Sequence, residues 1–165
     1  MLIVVGGHSR NIGKTSVVAG LIRALPQGNW TAMKITQFGH GVCSASGQDC
    51  DCCLAPEHPY AIAQERQGGN SDTGRFLAAG ARKSYWVRTA AGQLEHAVPA
   101  IREILAASRN LIIESNSIMQ FLEPQLYLWC WISARRTSRL QAAVFWSYGP
   151  GCTRSNPRTC RPAQG

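Results

Sequence analysis

Acidic residues are scarce in this 165-residue chain, which holds nine Asp and Glu against 17 Lys and Arg, for a formal net charge of +8. Long apolar runs are missing as well. None approaches the ~20 residues that a bilayer span requires, so no membrane partner is expected. The N-terminus has no basic leader, and its apolar run, Leu2–Val5, is too short for a cleavable signal. These absences predict a cytoplasmic chain of about one domain. A positive excess ordinarily raises nucleic acid as a partner, but its distribution argues against that. Residues 1–128 carry 11 basic residues and all nine acids, a net of +2, whereas residues 129–165 carry six arginines and no acid.

The segment 129–165 also holds three of the five tryptophans and three of the seven cysteines, and it is rich in Gly, Pro, Ser, Thr and Arg from Ser147 to Gly165. Hydrophobic periodicity stops after Ile132, apart from Leu140–Trp146. Two readings are open: a disordered basic arm, or a frameshifted stretch in place of the original C-terminus. Trp and Cys are uncommon in disordered tails, which favours the second. The domain boundary is expected at residue 128.

What is present is concentrated at the start. Leu2–Val5, apolar and mostly β-branched, runs into Gly6 and Gly7, and Gly13-Lys14-Thr15 then opens an amphipathic segment. Strand, loop and helix in this order are what a nucleoside triphosphate site needs. Small residues let backbone N–H groups face phosphates, and the helix start adds the positive end of its dipole. Gly7, His8, Ser9, Arg10, Asn11, Ile12, Gly13, Lys14, Thr15 and Ser16 are therefore expected to cradle GTP or ATP. Lys14 would reach the β- and γ-phosphates, and Thr15 would ligate Mg²⁺. Five residues separate Gly7 from Gly13, where the common P-loop (Walker A) has four, so His8 stands where the first glycine should be.

Further along, helix 1 is expected from Lys14, with Val17, Val18, Leu21, Ile22 and Leu25 on one face, ending at Pro26-Gln27-Gly28-Asn29. Trp30–Ile35 reads as a strand, Thr36–Asp51 as a polar loop, and residues 56–67 as a helix. Thr73–Ala81 reads as a helix capped by Ser71 or Asp72. Ser84–Arg88 is a short strand, and Leu94–Ser108 a helix with Pro99 in its first turn or at a kink. Leu111–Ile113 is a buried strand ending in Glu114, and Leu126–Trp129 begins another. Strands alternating with helices predict an α/β fold of the P-loop NTPase type, with a mainly parallel sheet and helices on both faces. Ligands gather at the carboxyl ends of parallel strands. Glu114 is thus the expected second catalytic group beside Lys14, holding Mg²⁺ or positioning a nucleophile, and Lys34 would contact phosphate or an anionic second substrate. Asp72 and Arg75 open a helix and are expected to reach the site, with helix capping as the plain alternative for Asp72.

Taken together, Gly13-Lys14-Thr15, the stretch Asp72–Ala81 and the strand Leu111–Glu114 resemble the molybdopterin-guanine dinucleotide biosynthesis protein B (MobB) group of P-loop proteins over residues 2 to about 128. Asp72-Thr73-Gly74-Arg75 with Ala79-Gly80-Ala81 is similar to that family's Asp-Ser/Thr-x-Arg-x-x-x-Ala-Gly-Ala helix. The resemblance implies a GTP-binding adaptor with slow hydrolysis, a homodimer, and a molybdenum cofactor biosynthesis protein as partner. The five-residue loop gap and Met33-Lys34-Ile35-Thr36-Gln37 are more similar to dethiobiotin synthetase and the cobyrinate amidases, which implies an ATP-dependent ligase as the alternative. No Asn/Thr-Lys-x-Asp element is present to read guanine, so GTP rests on the resemblance alone.

The loop 36–58 is rich in cysteine: Cys43, Cys50, Cys52 and Cys53 fall within eleven residues, flanked by His40 and His58. Soft ligands clustered in a cytosolic chain suggest Zn²⁺ or an iron–sulfur centre rather than disulfides. Cys43, Cys50, Cys52, Cys53 and His58 are the candidate ligands, with free thiols as the plain alternative. A third function follows from the first of these: a metal- or redox-sensing module that also binds nucleotide.

Overall fold

The computed structural model describes residues 1–39, 59–132 and 140–146, the last as backbone. Within these residues the strands form a single seven-stranded sheet. Its strands are β1 (Leu2–Gly7), β2 (Trp30–Phe38), β3 (Tyr60–Glu65), β4 (Lys83–Ala90), β5 (Asn110–Glu114), β6 (Leu126–Ile132) and β7 (Leu140–Trp146). The spatial order is β3-β4-β2-β5-β1-β6-β7. The inner five run parallel, and β3 and β7 close the two edges antiparallel.

The apolar run of β1 has to be buried on both sides, because it lies between β5 and β6 at the centre of a parallel sheet. Alternate residues serve opposite faces. Ile3 and Val5 pack under α1 (Lys14–Ala24) and α2 (Asp72–Ala78) with Val18, Ile22, Phe76 and Ile112. Leu2 and Val4 pack on the other face with Leu94 and Ile101, which belong to a 3₁₀ turn (Leu94–Ala97) and to α3 (Val98–Ala106). An α/β architecture with helices on both faces of a mainly parallel sheet is thus present. Among the described residues no helix is long and apolar enough to cross a membrane.

Several expected elements change. The helix expected over 56–67 is replaced, over the residues described there, by strand β3, which pairs with β4 from Tyr60↔Thr89 to Glu65↔Ser84. Ala, Gln and Glu favour a helix locally, but here pairing across the edge outweighs that preference. Strand β2 continues through Thr36, Gln37 and Phe38, which pair with Arg88, Thr89 and Ala90, so the polar loop starts later than expected. The segment expected as one helix from Leu94 is a 3₁₀ turn followed by α3, with Pro99 in the first turn of α3, where its missing N–H is harmless. The boundary expected at residue 128 falls inside β6, and residues 140–146 add an edge strand to the same sheet.

Phe76 is fully buried and pins α2 to the sheet. Phe76→Ala should therefore lower unfolding stability by about 3–5 kcal/mol, read as a fall in the urea midpoint. A loss below about 1 kcal/mol would mean that α2 is not held by this contact.

Candidate functional site

The loop between β1 and α1 is shaped by two glycines and one turn of helix. A side chain at Gly7 would meet the side chain of Ile12 and, at 2.9 Å, the carbonyl oxygen of Cys130. The Gly7 N–H donates to Asn116 Oδ1 at 2.9 Å, and the His8 N–H to the Cys130 carbonyl oxygen at 3.3 Å. Gly13 stands at φ +89°, a left-handed conformation that costs other residues about 1–2 kcal/mol. It is followed at once by α1, whose first turn has no side-chain cap and no acidic residue. N–H groups left open at a helix start, together with the dipole, favour an anion.

Lys14 bends back over this loop and donates from Nζ to the Ser9 carbonyl oxygen at 2.6 Å. Burial pushes its pKa below the ordinary lysine value of 10.5. Glu114 opposes that shift, while Lys34 and Arg10 add to it. A partly desolvated ammonium is poorly compensated here, and an incoming anion would relieve it.

Facing the helix start is Glu114, at the carboxyl end of β5 and 6% exposed. A buried carboxylate needs partners, and both of its oxygens have one. Thr15 Oγ1 donates to Oε2 at 2.7 Å, and Lys34 Nζ to Oε1 at 3.3 Å. Lys34, on β2, also donates to Asp72 Oδ2. Arg75, one turn further along α2, lies 3.7 Å from Asp72 Oδ1 and donates from Nη2 to Ser16 Oγ at 3.1 Å. Thr15 and Ser16 are neighbours on α1, so these contacts close into a ring through α1, β5, β2 and α2. Helix α2 is started by Ser71, whose Oγ accepts from the Gly74 N–H at 3.0 Å.

Inside this frame is a cleft of about 920 Å³. Of the residues expected from sequence, Arg10, Asn11, Gly13, Lys14, Thr15, Ser16, Lys34 and Glu114 line it, together with Asp72 and Arg75. Gly7 and Ile12 are buried beneath the loop, and His8 and Ser9 stand outside the lining. Among the described residues, the cleft lining carries four basic side chains (Arg10, Lys14, Lys34, Arg75) and two acidic ones (Asp72, Glu114). Its lining adds groups that the sequence alone does not assign: Thr36 and Gln37 of β2, Trp86 of β4, and Asn116 and Ser117 after β5. Trp86 Nε1 donates to Thr36 Oγ1 at 3.0 Å, and Gln37 Nε2 to Ser117 Oγ at 3.1 Å. Period-2 alternation from Lys34 reaches Thr36, and β4 pairs Trp86 with Lys34, so the β2–β4 register is the signal that finds these two.

Thr15 and Glu114 offer hard oxygen donors side by side. Because the Thr15 hydroxyl gives its proton to Glu114, its lone pairs remain for a cation, and this donor set suits Mg²⁺. Cys43, Cys50, Cys52, Cys53 and His58 lie outside the described residues. Cys130 does not. It is buried beneath the loop, and desolvation raises its pKa, so its thiol stays protonated. The chain matches no protein-family model, no curated protein and no solved structure.

The lowered pKa of Lys14 has a sign that can be checked. Between that lowered value and 10.5 the unfolded chain binds the proton and the folded chain does not, so this residue makes stability rise with pH in that window. Urea midpoints across the alkaline range should therefore rise less, or fall more, in Lys14→Met than in the parent. Parallel curves would contradict the shift.

Proposed function

We propose that this protein is a P-loop nucleoside triphosphate-binding protein whose loop Gly7–Ser16 takes the phosphates of GTP or ATP with Mg²⁺. The observation that carries the reading is the Lys14–Thr15–Glu114 arrangement, in which an uncapped helix start is hydrogen-bonded to a buried carboxylate at the edge of a cleft lined by Lys14, Lys34 and Arg75. In this reading the first-turn N–H groups of α1 and the Lys14 ammonium bind the polyphosphate. Exchanging the Ser9 carbonyl for a phosphate oxygen gives Lys14 a charged acceptor, which stabilises its protonated form.

Thr15, backed by Glu114, would hold Mg²⁺, which neutralises phosphate charge when bound. Glu114 orients the Thr15 hydroxyl, and a water beside its carboxylate is the candidate nucleophile for slow hydrolysis. Resemblance to the molybdopterin-guanine dinucleotide biosynthesis protein B group makes an adaptor in molybdenum-cofactor assembly the leading role, acting as a homodimer. The competing reading, an ATP-dependent ligase of the dethiobiotin synthetase type, is favoured by one feature. The cleft lining includes Trp86, Gln37 and Ser117 besides the loop residues, and these could contact a second substrate.

Fluorescent GTP and ATP analogues should bind the full chain in a Mg²⁺-dependent way. Lys14→Ala should weaken that binding by between about ten- and hundredfold, as expected for loss of a charged hydrogen-bond donor. A well-folded parent chain that binds neither analogue would overturn the reading. A preference for GTP supports the adaptor, and a preference for ATP the ligase.

A further inference from the structure

The ring of polar contacts around the cleft contains more than triphosphate binding requires, and its surplus members lie on α2. An ammonium has three donors, and two of Lys34's are used, on Asp72 and on Glu114 Oε1. Glu114 is the more buried partner, with 7% of its side chain exposed against 38% for Asp72. With Glu114 as its sole anchor, the ammonium would be drawn onto that carboxylate, since a low-dielectric pair is the stronger one. Asp72 is a second acceptor that competes for the same ammonium. It is itself fixed by Arg75, which is tied to Ser16 in the first turn of α1.

Lys34 therefore stands between two acids, with one donor left for a ligand in the cleft. It lies one carboxylate away from the Thr15 hydroxyl. In the reading above, Thr15 would hold Mg²⁺, which would supply charge neutralisation to the outer phosphates. On that reading Lys34 would meet the terminal phosphate rather than the inner two.

We propose that Asp72, braced by Arg75, is a positioning residue that holds Lys34 at the terminal phosphate, so that α2 gives the site its preference for a triphosphate over a diphosphate. This rests on the nucleotide reading of the same site. It gives α2 a task that a capped surface helix does not have: Ser71 already starts the helix, so Asp72 is not needed as its cap. The opposite expectation follows from charge alone. Removing an acid from an anion site favours the more negative ligand, so simple electrostatics would raise the triphosphate preference.

The test is a double-mutant cycle on the full chain, measuring affinity for GTPγS against GDP, and for ATPγS against ADP, with Mg²⁺ present. Lys34→Met and Asp72→Asn should each lower the triphosphate-to-diphosphate affinity ratio by about tenfold, the worth of one charged hydrogen bond. The double variant should lose no more than Lys34→Met alone, because Asp72 acts through Lys34. Asp72→Ser, which suits a helix first turn, serves as a second variant if Asp72→Asn folds poorly. Additive losses, an unchanged ratio or a raised ratio would each overturn the proposal while leaving nucleotide binding in place. Failure of the parent chain to bind any of the four nucleotides would instead remove the reading on which it rests.

Discussion

A carboxylate buried at the end of a central strand cannot be left alone, and the arrangement around Glu114 follows from that constraint. Desolvating a charge costs several kcal/mol unless partners restore what water supplied. Three separate elements bring those partners: Thr15 from the start of α1, Lys34 from β2, and, through Lys34, Asp72 from α2. Each can reach only because the sheet order puts β5 between β1 and β2. The pairing Val5↔Glu114 sets the carboxylate level with the start of the glycine loop, and Lys34↔Glu114 sets the ammonium beside it. Fold and site are thus tied by strand register. A one-residue slip of β5 would turn Glu114 to the face packed by α3 and put Ile113 in the cleft.

Charge and backbone work together on the other side of the cleft. The loop from Gly7 to Gly13 contributes no acid, the helix start has no side-chain cap, and among the described lining residues basic side chains outnumber acidic ones. Lys14, held back on the Ser9 carbonyl, is partly desolvated and shifted toward neutrality. A site in this condition is organised for an anion before one arrives. The cost of order falls on folding and not on binding.

Local signals made part of this legible in the sequence. The β1–loop–α1 unit is written in consecutive residues: a β-branched run, a glycine at the left-handed position before a helix, and apolar residues at helical spacing. The same holds for Glu114, an acid closing an apolar strand, and for Ser71 as the cap of α2. What stayed hidden depends on partners distant in the chain. Tyr60–Glu65 has the composition of a helix and becomes a strand only because β4 offers an edge. Asn116 reaches Gly7 only once β1 and β5 are in register, and Trp86 enters the cleft wall only through the pairing of β4 with β2. Trp129–Ile132 lies beyond the expected boundary because a composition shift says nothing about which strand a segment continues.

The proposed function stands or falls with phosphate binding by the backbone at the start of α1. Amide-resolved NMR of the ¹⁵N-labelled chain, titrated with Mg²⁺ and a non-hydrolysable triphosphate, tests it most directly. Phosphate binding there should give saturable shifts centred on the amides of Gly13, Lys14, Thr15 and Ser16, reproduced by tripolyphosphate and absent with the bare nucleoside. Shifts elsewhere that leave these four amides unmoved, or equal shifts with the nucleoside alone, would contradict it.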